Sequence, residues 1–282
     1  MTAVNQLRGH GFAKQAIAAA MRAPLHKPVP KSDETAASHE SYEATSTVPQ
    51  SPTAIAEPTS SPEVRRMRAI AGWNQLATAI PNESMTPAHV RIPDNLVRAI
   101  EKSWHESIAS SPEQEKGGNI IKNGGSGYDV RRYDGDANGD TFQPNDSDAG
   151  WRQSLVGMVH THPYGEYKQE VPEGYASFSE QDFDAFMRSE AHLSVLKSGP
   201  FTFMLSKTKQ FEELVSKTDN DERKLRSLGT GMSTTYDEAF ERTKGVFSKR
   251  VEAGILAVCW RFHLVYYKGQ GGNLTRTSSS TT

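Results

Sequence analysis

Apolar residues recur at helical spacing in three parts of the chain. The first part follows Pro93 and Asp94, which suit a helix start, and its stripe is Leu96, Val97, Ile100, Trp104 and Ile108. The second begins at Ser179 in "SEQDFDAFMRSEA", and the third is marked by Tyr236, Phe240, Phe247 and Val251. Because each stripe gives its segment one apolar side, the pattern predicts three amphipathic helices.

Shorter apolar runs around these stripes predict β-strands. The runs "GGNIIKN" and "YDVRRY" are separated by the turn-forming "NGGSG", and "SLVGMVH" and "FTFMLS" follow as single strands. The run "GILAVCWRFHLVYY" is predicted as one long strand or two short ones, with His263 inside it. Helices alternating with strands predict an α/β domain of two or three layers.

The ends of the chain have a different composition. Residues 24–64 hold seven of the fifteen prolines, many Ser, Thr, Glu and Ala, and a single aromatic residue, Tyr42. Such a segment buries too little apolar surface to offset its ordering entropy, which predicts a disordered linker. The predicted layout is a short segment 1–23, helical around 13–22, the linker 24–64, a domain at 65–270 and a flexible tail at 271–282.

Composition and charge narrow the classes of partner. The formal net charge of −2 and the sequence pI of about 6.5 give no general attraction to nucleic acid. No apolar run is long enough to span a membrane, and the N-terminus lacks a convincing signal peptide. A single cysteine, Cys259, excludes an internal disulfide and a multi-cysteine zinc site. These features predict a protein that is cytoplasmic in the cell that makes it.

Two histidines end the predicted strand "SLVGMVH" and its continuation "THP". Side chains at i and i+2 of a strand lie on the same face, so His160 and His162 are expected to project together as two nitrogen ligands for a divalent metal. Taken alone, the pattern also allows a surface pair of neutral histidines that binds no metal.

Two acidic residues could complete a catalytic site around these histidines. Asp182 follows Ser179 in a Ser-x-x-acid helix cap, and the first turn of that helix would hold its carboxylate as a third metal ligand. Three protein ligands leave a fourth position open, which is typical of catalytic zinc. Glu115 enters the strand "GGNIIKN", where two glycines allow a close backbone approach, although a glutamate there could also be an ordinary solvated residue.

The order of these residues resembles the JAMM motif of the MPN/JAB family of zinc metallopeptidases, which includes deubiquitinating isopeptidases and bacterial relatives. The resemblance covers about residues 90 to 270 and implies a cytidine-deaminase-like fold, with a central mixed sheet flanked by helices. It implies that Zn²⁺ is bound by His160, His162 and Asp182. It further implies that Glu115 is the general base in peptide or isopeptide hydrolysis, and that Ser179 stabilises the oxyanion.

One departure from the family concerns the stretch between the second histidine and the serine. Sixteen residues, 163–178, separate His162 from Ser179, and the family usually has fewer. The added residues could act as a lid over the metal. The departure also leaves Asp184 as an alternative to Asp182, and Glu113 as an alternative to Glu115.

Two further interpretations follow from the resemblance. A disordered extension before a JAB-like domain is similar to the layout of delivered bacterial effectors or toxins, which implies delivery outside the producing cell and a cognate inhibitor or immunity protein. The alternative function is a catalytically inactive scaffold for protein partners, and a zinc enzyme with a target other than a peptide stays open.

The Asp-rich residues 134–140 are interpreted as a turn, because a calcium loop would need a glutamate where Asn145 stands.

Overall fold

The computed structural model describes residues 60–111, 114–124, 127–134, 153–163 and 177–278. Several predictions from sequence therefore lie outside the described residues. These are the helix at 13–22, most of the linker 24–64, the lid at 163–178 except its ends, the Asp-rich turn after residue 134, and the alternative base Glu113.

The described chain alternates helices and strands, as the apolar pattern predicts. Its helices are α1 Pro62–Thr78, α2 Asp94–Ala109, α3 Glu180–Arg188, α4 Lys209–Ser216, α5 Glu222–Arg242 and α6 Phe247–Phe262. Its strands are β1 His89–Arg91, β2 Lys116–Asn123, β3 Tyr128–Asp134, β4 Gln153–Thr161, β5 Leu193–Ser198, β6 Phe201–Ser206, β7 Val265–Gln270 and β8 Asn273–Thr277. None of the helices in these ranges is long and apolar enough to cross a membrane.

All eight strands belong to one mixed sheet in the order β1-β8-β7-β6-β5-β4-β2-β3. The pair β4 and β5 is parallel, and the other neighbouring strands are antiparallel. Alternate residues along the strands face two different cores, as Val195 and Leu196 illustrate. Helices α1 and α2 pack on one face of the sheet, and α3, α5 and α6 pack on the other. The prediction of a mixed α/β sheet flanked by helices is confirmed, and the arrangement has three layers.

The prediction of strand for residues 254–262 is wrong, because these residues form the second half of α6. The buried apolar side chains of α6 recur at helical spacing: Val251, Ile255, Val258, Cys259 and Phe262. His263 therefore lies at the end of this helix, with φ of 58°, and the strand begins only at Val265.

The third predicted helix is in fact two helices. Helix α5 ends at Arg242 and α6 begins at Phe247, although the apolar stripe continues across the break. Gly245 has φ of 120° within the break, a conformation that an L-amino acid with a side chain rarely adopts. Gly245 thus lies in the turn between two helices where the apolar spacing alone suggests one continuous helix.

Both predicted boundaries of the domain need correction. Helix α1 begins at Pro62 with Ser61 as its N-cap, so the linker predicted for 24–64 is wrong at its last three residues. The flexible tail predicted for 271–282 is wrong at residues 273–277, which form β8 between β1 and β7. Leu274 is the buried residue of this strand, and one apolar residue in a polar stretch gives almost no periodic signal.

Candidate metal centre

The two histidines lie at the carboxyl end of the parallel pair β4 and β5. His160 is paired with Leu196, and the backbone N–H of His162 donates to the carbonyl of Lys197 at 3.1 Å, which extends the pairing past the strand. The imidazole ring centroids are 4.9 Å apart. The prediction that both rings project from the same face is therefore confirmed.

Asp182 reaches the histidines from the first turn of α3. A capping box holds this turn: the Asp182 N–H donates to Ser179 Oγ at 3.4 Å, and the Ser179 N–H donates to Asp182 Oδ2 at 2.6 Å. The Asp182 carboxylate oxygens lie 2.9 Å from His160 Nε2 and 3.6 Å from His162 Nε2. The predicted helix cap is confirmed, and it aims the carboxylate at both imidazoles.

Glu115 stands one residue before β2, where the ladder with β4 brings it opposite His162. The register pairs Gly117 with His160, and two further residues along each antiparallel strand bring Glu115 to His162. Glu115 Oε1 lies 3.7 Å from His162 Nε2. The predicted close backbone approach is confirmed at Gly118, because a Cβ atom there would overlap the Arg131 carbonyl oxygen.

His160, His162 and Asp182 form a group that could hold a metal ion. Each offers one ligand atom, and these atoms all lie within 4.8 Å of one another. The exposed fraction of the side chain rises from 6% at His160 and 10% at His162 to 14% at Asp182 and 24% at Glu115. Among these four side chains His160 is therefore the most buried and Glu115 the most exposed.

The electrostatics of the site reflect buried opposite charges. Burial works to lower the pKa of His162, but the negative charges of Asp182 and Glu115, together with hydrogen bonds, raise it to about 9. Burial works to raise the pKa of Asp182, but the two histidines hold it well below its usual value. Without a metal, a protonated His162 therefore offsets part of the negative charge beside it.

The alternative ligands named from the sequence lie elsewhere. Asp184 is turned to Arg188, whose Nε donates to Asp184 Oδ2 at 3.0 Å, so Asp182 is the aspartate of the site. His263 Nδ1 lies 3.0 Å from Glu83 Oε2 at the end of α6.

A second set of contacts, which the sequence does not predict, holds the His162 imidazole in place. The backbone carbonyl of Ser177 accepts a hydrogen bond from the His162 imidazole. Ser177 Oγ and Tyr266 Oη share a buried hydrogen bond of 2.9 Å, and the Tyr266 ring stacks on Phe203. A metal-ligating histidine commonly donates its other nitrogen to a carbonyl in this way, which fixes the ring orientation.

Comparisons with known proteins give no assignment: no protein-family model, curated protein or solved structure matches this chain. The chemistry of the site is therefore inferred from its residues and their arrangement.

Proposed function

We propose that the chain is a zinc-dependent hydrolase of the JAMM type, which cleaves a peptide or isopeptide bond in a protein or peptide substrate. The observation that carries the proposal is the convergence of a carboxylate, Glu115, on a buried His-His-Asp group. The start of β2, the end of β4 and the first turn of α3 bring these residues to one place, which is more than a surface histidine pair requires.

The donor set favours zinc among the divalent metals. Two imidazole nitrogens and one carboxylate oxygen from His160, His162 and Asp182 are ligands that suit Zn²⁺, and three protein ligands leave a position open. When bound, zinc would activate a water as the nucleophile and polarise the scissile carbonyl.

Glu115 is proposed as the general base. It is the most exposed of the four acidic and imidazole side chains, and its carboxylate lies 3.7 Å from His162 Nε2. From there it can accept a proton from water and deliver it to the leaving amine. General acid–base groups contribute about 10²- to 10⁴-fold to rate, so its loss should be easy to detect.

Ser179 is proposed to donate a hydrogen bond to the developing oxyanion. Its hydroxyl donates to Asp182 Oδ2 at 2.8 Å. A hydroxyl has a single hydrogen, so Ser179 must rotate from Asp182 to donate to a substrate. Ser179→Ala should therefore lower turnover by about 10²-fold, the effect of removing one oxyanion donor, and should change zinc affinity much less.

We further propose that the enzyme is delivered outside the cell that makes it, as a bacterial effector. The proline-rich residues 24–61 before the domain are similar to the extensions of delivered bacterial effectors. In that case a cognate inhibitor protein would block the site in the producing cell. Co-purification of a tight partner from the native host, released when the site residues are changed, would support this setting.

The proposed function is tested with zinc-loaded protein and a panel of peptide, isopeptide and non-peptide amide substrates. Glu115→Gln should keep its zinc and lose about 10²-fold or more in turnover, and His160→Ala should lose both. Glu213→Gln, an exposed glutamate on α4, is the matched control and should behave as wild type. Full activity in Glu115→Gln would refute the mechanism, and a wild-type chain that binds no zinc would favour the scaffold.

A further inference from the structure

We propose that Thr161 and Ser107 are positioning residues for Glu115, a pair called here the hydroxyl clamp. The clamp connects the segment that carries Glu115 to the strand that carries the two histidines. The catalytic role of the hydroxyl clamp rests on the proposed function, whereas the hydrogen bonds that form the clamp do not depend on it.

Thr161 lies between the two histidines in sequence but faces the other side of the sheet. Because strand residues alternate, its side chain points towards α2 while the imidazoles point towards α3. Thr161 is completely buried. Its Oγ1 accepts the N–H of Lys116 at 2.9 Å and donates to Ser107 Oγ at 2.9 Å.

Ser107 continues the chain of hydrogen bonds from α2. It is also completely buried, and its Oγ donates to the carbonyl of Gln114 at 2.6 Å. The Gln114 N–H in turn donates to the Ser107 carbonyl at 3.3 Å. Each hydroxyl thus accepts one hydrogen bond and donates one, which satisfies two polar groups that would be costly to bury alone.

The path begins and ends on the two neighbours of Glu115. It runs from the Lys116 N–H through Thr161 and Ser107 to the Gln114 carbonyl, so the backbone on both sides of Glu115 is held. Thr161 is bonded directly to His160 and His162, so the same path sets the distance from base to ligands. A displacement of about 1 Å at a catalytic group can cost about 10²-fold in rate, which gives the clamp its importance.

The first test measures the clamp in the metal-free full-length protein. Thr161→Val keeps the shape of the side chain and removes the hydroxyl, and Thr161→Ser keeps the hydroxyl. Amide hydrogen exchange at Lys116, followed by NMR, should become about tenfold faster in Thr161→Val and stay near wild type in Thr161→Ser. Thr202→Val, a buried threonine on β6, is the matched control and should not change exchange at Lys116. Unchanged exchange at Lys116 in Thr161→Val would overturn the proposal.

The second test uses Co²⁺ alone as a spectroscopic probe of the site. Glu115→Gln should shift the pH midpoint of the visible Co²⁺ absorption, and Thr161→Val should shift it in the same direction. Thr161→Ser should restore the wild-type midpoint, and the double variant Thr161→Val/Glu115→Gln should match Glu115→Gln alone. A wild-type midpoint in Thr161→Val would show that the clamp does not act through Glu115.

The two tests separate failure of the clamp from failure of the proposed function. If wild-type protein binds no Co²⁺ or Zn²⁺, the hydrolase proposal fails, and exchange at Lys116 still decides whether the clamp exists. If Thr161→Val does not fold, Ser107→Ala replaces it, because this variant breaks the same path from α2 and leaves β4 intact. Unchanged exchange at both Gln114 and Lys116 in Ser107→Ala would then overturn the proposal.

Discussion

Loading the metal-free protein with Zn²⁺ at pH 7 should release about one proton per chain, and His162 is the source. Its pKa of about 9 means that the imidazole is protonated at pH 7, whereas a metal ligand must be neutral. Asp182 should release none, because its pKa lies well below the usual value.

The cost of deprotonating His162 follows from the difference between its pKa and the pH of the experiment. A pKa two units above pH 7 leaves about 1% of His162 neutral, which costs zinc binding about 3 kcal/mol, or about a hundredfold in affinity. The affinity should therefore rise about tenfold per pH unit from 7 to 9 and level off above 9. In the metal-free protein, the stability of the fold changes with pH in the direction opposite to zinc affinity. A raised pKa stabilises the fold below the ordinary value of 6.5, and this stabilisation is lost as the pH rises through 9.

Isothermal titration calorimetry in buffers of different ionisation enthalpy counts the protons directly. Glu115→Gln should release fewer protons at pH 7, because the Glu115 charge helps to raise the pKa of His162. Glu213→Gln should match wild type. Tight zinc binding without proton release at pH 7 would refute the reasoning, since His162 would then be neutral before the metal arrives.

Three further outcomes are expected. Asp182→Asn should weaken zinc binding by about a hundredfold or more in a competitive zinc titration. Asp184→Asn removes one of the two carboxylate charges that Arg188 contacts and should leave zinc binding unchanged. Tyr266→Phe removes the hydroxyl that bonds to Ser177, the residue whose carbonyl holds the His162 imidazole. Zinc affinity should therefore fall by about tenfold, whereas the free energy of unfolding in urea should fall by only about 1 kcal/mol. Unchanged zinc affinity would argue against this support of His162. Ile255→Ala, on the buried side of α6, should lower the free energy of unfolding by about 2–5 kcal/mol. Trp260→Ala, at a residue 72% exposed on the same helix, should lower it by less than about 0.5 kcal/mol. Equal effects of the two variants would contradict the helical register of α6.

The candidate site could be read from the sequence because its signals are local. An i, i+2 pair of histidines at the end of an apolar strand and a Ser-x-x-Asp helix cap are patterns that a few neighbouring residues define. The structure brings both patterns together with Glu115. Strands β2 to β4 and helices α2 and α3 were predictable for the same reason.

The elements that the sequence does not reveal depend on distant partners. Strand β5 is entirely buried although it contains Lys197, whose Nζ lies 2.8 Å from Glu101 Oε1 on α2. Thr161 and Ser107 are separated by 54 residues, and a threonine and a serine have no distinctive pattern. A weak signal existed in α2, where Ser107 continues the buried stripe of Leu96 and Ile100. A polar residue on such a stripe needs a partner, but the sequence does not say which.

The most direct test of the account is X-ray absorption spectroscopy at the zinc edge, together with the metal content of the full-length protein. The protein should hold one zinc per chain, with a shell of nitrogen and oxygen ligands that includes two imidazoles. Cys259, the single cysteine, is buried in the core around α6, so no sulfur should appear in the shell. Protein that holds no stoichiometric zinc after loading, or zinc with a sulfur ligand, would contradict the account.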